Sequence, residues 1–160
     1  MLTTSRTRTI AMPAQELWEL LSDPHHLPRW WPRVERVEEV SEDAFTEVMR
    51  TKKGKLVRAD FDVRRDTRAR TLTWVQRIAG TPFASVLRSA ETELRVTPAG
   101  AEGAQVTIEL RQQVGRDRGA ERAPGGVLAG NWLRLGSRLV RRAAAATLEE
   151  ALDGLERIGG

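Results

Sequence analysis

Along the chain the apolar positions repeat at two, then at three to four, then at two again, and finally at three to four. Thr3 to Ile10 alternates and ends apolar, which predicts a first strand. Pro13 then opens a helix, a position where proline costs no hydrogen bond. Ala14, Leu17, Trp18 and Leu21 follow at i, i+3, i+4 and i+7, one apolar face. Ser22-Asp23-Pro24 stops that helix. Asp23 is placed to cap a second, short helix with Pro24 in its first turn, running through HHLPRWW to the stop at Pro32.

From Val34 to Val114 the pattern predicts strands broken by turns. The strands are Val34 to Val40, Phe45 to Thr51, Leu56 to Arg64, Thr71 to Ile78, Val86 to Val96 and Gln105 to Val114. Lys53-Gly54, Gly80-Thr81-Pro82 and Pro98 to Gly103 supply turns. Phe61 shares a face with Val57, Ala59 and Val63, opposite Arg58, Asp60, Asp62 and Arg64. Leu72, Trp74, Gln76 and Ile78 share a face. So do Arg88, Ala90, Thr92, Leu94 and Val96, and likewise Val106, Ile108, Leu110, Gln112 and Val114. Successive strands with short connections imply an antiparallel meander with one wet and one covered face. Gly115 to Gly125, charged and glycine-bearing, reads as a mobile loop leading to the last element.

That element, Val127 to Ile158, is the longest and lacks proline. Leu128, Trp132, Leu135 and Leu139 fall at i, i+4, i+7 and i+11, and Leu148, Leu152 and Leu155 continue an apolar stripe at that spacing. Arg134, Arg138, Arg141 and Arg142 take the other side, and Gly159-Gly160 ends the helix. Such a helix spans roughly 45 Å and needs an apolar surface, which the sheet supplies. Gly130, Gly136 and Ala143 to Ala146 make its apolar side thin, leaving room beneath it. The expectation is an α+β fold: seven antiparallel strands, two short helices after strand 1, and a long C-terminal helix, in one domain over 1–160.

Composition narrows the function classes. Hydrophobic residues make up 40% and charged residues 30% of the 160, and cysteine is absent. There is no disulfide framework, thiolate nucleophile or cysteine metal site. No apolar run approaches the roughly 20 residues that cross a bilayer, and the N-terminus lacks a signal peptide's apolar core, so a cytoplasmic location is expected. The formal net charge of +4 raises nucleic-acid binding. Its arginines are interleaved with Asp and Glu, which fits solvated faces better and argues against a nucleic-acid partner.

The stretches MPAQELWELLSDPHHLPRWWPRV, GTPF at Gly80 to Phe83 and RRAAAATLEEALDGLERI resemble the START/Bet v 1-like helix-grip superfamily (SRPBCC), in particular bacterial polyketide cyclase/dehydrase-like lipid-transport proteins. The resemblance covers nearly the whole chain and is specific for fold rather than activity. It implies a sheet wrapped around the C-terminal helix, with an apolar cavity between them.

No constellation stands out as catalytic. His25 and His26 are adjacent and lack partners at ligand spacing, so neither metal nor other cofactor is expected. Gly125-Gly126 lacks the lysine of a phosphate loop, and Glu38-Glu39 and Glu149-Glu150 read as solvated pairs. The aromatics offer either core packing or a wall for a large, flat, apolar ligand. Trp30 and Trp31 fall where the superfamily's short helix edges the cavity, Phe61 and Trp74 on the covered face, and Trp132 on the helix stripe. The expected pocket is lined by Phe61, Trp74, Leu135 and Leu139, with Trp30 and Phe83 at its entrance. Gln76, Arg88 and Gln112 lie on covered faces, where an unpaired polar group is costly. They read either as a wet rim or as anchors for a polar ligand group. Counting from the turns places Gln76 opposite Arg88, with Gln112 beside it.

The expected function is binding, or transport, of a hydrophobic small molecule such as a lipid or polyketide-like aromatic, by a monomer or homodimer. The alternative is an aromatase/cyclase or dehydrase-type enzyme. Ribosome or nucleic-acid association is the third reading.

Overall fold

The computed structural model describes the backbone of residues 1–115 and 126–160, and the side chains of residues 1–115 and 136–160. The loop predicted over Gly115 to Gly125 lies, from residue 116 on, outside the described residues. So do the side chains of Leu128, Trp132, Arg134 and Leu135.

Strand β1 spans Leu2–Ile10, followed by helix α1 (Ala14–Ser22), a 3-10 turn (Pro24–His26) and the four-residue helix α2 (Leu27–Trp30). Strands β2 (Val34–Glu38), β3 (Ala44–Arg50), β4 (Leu56–Asp66), β5 (Thr71–Arg77), β6 (Leu87–Pro98) and β7 (Ala104–Val114) come next, then helix α3 (Gly126–Gly159). The strands form one seven-stranded sheet in the order β1-β7-β6-β5-β4-β3-β2. All six ladders are antiparallel. The first strand thus closes beside the last, and α1 and α2 fill the crossover between the two edges. This is a helix-grip fold.

The alternation read from the sequence sets the covered face. Ala59, Phe61 and Val63 on β4, Leu72 and Trp74 on β5, and Ala90, Thr92, Leu94 and Val96 on β6 are all buried. Burial of such side chains is worth about 1.5–3 kcal/mol each, which fixes strand register against a one-residue slip. Asp23 caps the turn before α2 as expected: its Oδ1 accepts from the His25 backbone N–H at 3.0 Å. Pro24 and Pro28 keep this segment to two short pieces rather than one helix.

Helix α3 grips the sheet with its C-terminal half. Ala144, Leu148, Ala151, Leu152 and Leu155 are buried, and its described contacts run to β1, α2 and β7. Ion pairs hold the same edge. Arg8 reaches Glu149 and Asp153 at 2.5 Å each, and Arg6 reaches Glu149 at 3.0 Å. Glu149, read from the sequence as merely solvated, therefore ties β1 to the helix. Gly154 lets the helix approach closely, since a β-carbon there would lie 2.8 Å from Trp30 Cα.

Two expectations are corrected here. Leu139 does not line the covered face: it is 66% exposed. It precedes the buried Leu148 by nine residues, about two and a half turns, and so lies on the opposite side of the helix. The strand register also differs. The β5–β6 ladder runs from Thr71↔Arg95 to Val75↔Glu91, so Gln76 does not face Arg88. The 3-10 turn Pro82–Ser85 moves the centre of the connection toward β6. Gln112 pairs with Ala90, and Arg88 is the extra residue of a bulge between Leu87↔Val114 and Ser89↔Gln113.

Candidate functional site

Among the described residues, five aromatic rings meet on the covered face. β3 and β4 bring Phe45 and Phe61 opposite each other, and their rings stack at 5.2 Å. Trp74, from β5, meets Phe45 edge-on at 5.8 Å. The end of α2 lays Trp30, and the capping residue after it Trp31, over it, at 6.1 and 5.3 Å from the Trp74 ring. Trp30 and Trp31 meet each other edge-on at 5.4 Å. Tilted and edge-on arrangements suit the ring quadrupoles and fix each ring against its neighbours. Trp30, Trp31, Phe61 and Trp74, named from the sequence as either core or ligand wall, come together in or against the buried core. Phe45 is the fifth. Phe83 is partly buried and packs against the same core.

The polar row separates. Gln76 pairs with Phe61 across the β4–β5 ladder and remains half-buried. Beyond Val75 the β5–β6 ladder ends, and a cleft of about 460 Å³ opens between the two strands. Gln76, Ile78, Arg88 and Ala90 line it together with Val75 and Glu91. Arg88 is exposed, and its side chain lies against Gly115, where a β-carbon would fall 2.5 Å from Nε. Gln112 is not among the residues lining the cleft.

The sequence reading missed Glu47. It lies on β3, in phase with Phe45 and Met49, directly opposite Ala59 of β4 and Val37 of β2. Only 3% of it is exposed. Burial pushes its carboxyl up to about 8, and no donor or cation among the described residues offsets that. The acid is therefore protonated at neutral pH, as desolvation requires of a carboxyl without a partner. The signal was available, because alternation through Phe45, Glu47 and Met49 puts an acid on the apolar phase. Another buried polar atom without a partner is the indole Nε1 of Trp30, on α2, which packs on β2. Natural interiors leave few such groups unsatisfied.

Among the described residues, no group of three His, Asp or Glu side chains is placed to hold a metal ion. No described helix is long and apolar enough to cross a membrane.

Solved structures share this architecture. A START superfamily protein from Mycobacterium smegmatis is 15% identical with a TM-score of 0.72, over 98% of this chain and 96% of that one. A protein from Thermus thermophilus is 21% identical with a TM-score of 0.71, over 98% and 95%. The Zhui aromatase/cyclase from Streptomyces sp. R1128 is 23% identical with a TM-score of 0.67, over 98% and 94%. At these identities the likeness is one of fold. No curated protein matches the chain. Residues 1–158 match the family described as polyketide cyclase / dehydrase and lipid transport, and the chain belongs to that family.

Proposed function

We propose that the protein binds a hydrophobic small molecule between the covered sheet face and α3, and carries or presents it. The observation that supports this is where the rings gather. Five aromatics collect on β3, β4, β5 and α2, while the described contacts of α3 run to β1, β7 and α2. Trp30 backs onto the described half of the helix at Gly154, while Phe45, Phe61 and Trp74 stand on β3, β4 and β5, away from β1 and β7 in the strand order. Rigid rings give a flat apolar ligand large contact area with few torsions to freeze. The family, whose description includes lipid transport, agrees with this reading.

An enzyme of the aromatase/cyclase type is the second reading, and Glu47 favours it. A buried carboxyl that titrates near neutral pH is what proton transfer to or from a bound polyketide-like chain requires.

The test is titration with N-phenyl-1-naphthylamine, whose emission rises in apolar surroundings, against the wild type and Ala59→Leu. Ala59 is a small residue on the covered face, beside Phe61 and opposite Glu47. The wild type should bind saturably. The variant should keep its far-UV spectrum and lose binding by about tenfold or more, because the added side chain occupies ligand space. Saturable binding that is unchanged in the folded variant would place the dye elsewhere.

A further inference from the structure

Two buried polar groups in the ligand region have no partner, and each is expensive to leave so. Glu47 lies among Phe45, Met49, Ala59 and Val37, with its carboxyl unmatched by any described donor. Its neighbours on the covered face, Val37 of β2 and Val57, Ala59 and Phe61 of β4, carry no charge. The charged residues nearest to it on those strands, Arg36, Glu38, Arg58 and Asp60, alternate to the outer face, where Arg58 pairs with Glu38 at 2.6 Å. Arg65 shares the covered phase of β4 but lies further along the strand, opposite Leu72, and donates to the Ser22 and Glu42 carbonyls. The Trp30 indole N–H is likewise buried and unpartnered. It belongs to α2, which packs on β2, the strand beside Glu47. Leucine at position 47 would remove the desolvation cost outright, so an acid here needs a role.

We propose, on the reading that this region holds a ligand, that Glu47 and the Trp30 indole N–H anchor the ligand's polar group. They select an apolar ring compound bearing an uncharged oxygen, a ketone or a hydroxyl, over one bearing a carboxylate. A neutral carboxyl offers an O–H donor and a carbonyl acceptor side by side, and the indole adds a second donor. A ketone oxygen accepts from either donor, whereas a hydroxyl takes one donor and gives its proton to the Glu47 carbonyl. A ligand carboxylate would instead enter a site whose nearest neighbours on β2 and β4 are apolar, while Arg65, further along the covered phase of β4, is already committed to the Ser22 and Glu42 carbonyls, and it would give up its hydration without a close counter-charge. The observed register leaves Gln76, Arg88 and Gln112 apart, so this anchor is proposed in place of the expected polar row.

The test uses three probes of one ring system: naphthalene, 2-acetylnaphthalene and 2-naphthoate. Each is titrated calorimetrically into the full chain at pH 6, in the wild type and in Glu47→Leu, Glu47→Gln and Trp30→Phe. The wild type should prefer 2-acetylnaphthalene to 2-naphthoate by about tenfold or more. Glu47→Leu should lose about tenfold for 2-acetylnaphthalene while keeping naphthalene. Glu47→Gln, whose neutral amide still donates, should stay within about threefold of the wild type, and Trp30→Phe should fall between. If Glu47→Leu does not fold, the wild-type preference and the Gln variant decide. Naphthalene binding with no preference between the other probes overturns the anchor and leaves the ligand region standing. Equal loss of all three probes in Glu47→Leu does the same. Failure of naphthalene itself to bind the wild type overturns both.

Discussion

Gly154 is where the long helix comes closest to the segment that carries Trp30. A β-carbon at this position would lie 2.8 Å from Trp30 Cα and 3.0 Å from Trp30 C, and closer still to the Trp30 carbonyl oxygen. Non-bonded carbons settle at about 3.5–4.0 Å, so Gly154→Ala demands a shift of roughly 1 Å between α3 and α2. All three atoms are backbone, and no side-chain rotamer change relieves the clash. Overpacking of this kind costs about 1–3 kcal/mol. Alanine is also the better helix former by about 1 kcal/mol, which offsets part of the loss. The net expectation is destabilisation by about 0–2 kcal/mol, a fall in Tm of up to roughly 8 °C for a chain of this size. Urea unfolding followed by tryptophan emission measures it, and the native emission should also change, because Trp30 moves against Trp31 and Trp74. Gly136→Ala is the control. No described atom lies within 4 Å of a β-carbon there, so the propensity gain should appear undiminished. Equal stabilisation by both substitutions would refute the close approach as the reason for glycine at 154.

Glu47 predicts a pH dependence with a definite sign. Its native carboxyl holds a proton up to about pH 8, against an ordinary 4.5, so the native state binds more protons than the unfolded chain between those values. Its contribution to stability is therefore full below about pH 4.5, falls as pH rises, and is gone above about pH 8, a total on the order of 5 kcal/mol. Subtracting the Glu47→Gln stability curve from the wild-type curve should isolate this fall, and parallel curves would contradict it. Arg8→Met keeps an apolar stem but removes the pairs to Glu149 and Asp153. It should lower stability by about 1 kcal/mol in dilute salt and by less in roughly 1 M salt. A salt-independent loss would assign Arg8 a packing role instead.

Much of the fold was legible because period alone carries it. Alternation through Ala59, Phe61 and Val63 has one covered side, and Pro13, Asp23 and Pro24 punctuate the crossover by local backbone chemistry. The rings Trp30, Trp31, Phe61 and Trp74 were legible for the same reason. Register was not, because it depends on how a connection is spent. The 3-10 turn at Pro82–Ser85 and the bulge at Arg88 move partners in ways that residue counting does not capture. Leu139 misled because i+4 and i+7 spacings within each half of α3 look continuous, although Leu139 and Leu148 are half a turn out of phase. Glu47 hid in plain alternation, and Gly154 acquires its meaning from a neighbour that is distant in sequence.

The ligand site proposed above is walled by Trp30 and Trp74. The chain has five tryptophans, so its amide correlation spectrum should contain five indole N–H signals that report on their surroundings one by one. Titrating naphthalene into the labelled protein, with assignments from single Trp→Phe variants, tests the claim most directly. The expected result is saturable shifts of the Trp30 and Trp74 indole signals with one common affinity, and little change at Trp18, which is buried on α1. Saturable shifts confined to Trp18, or no saturable shift at Trp30 and Trp74, would contradict it.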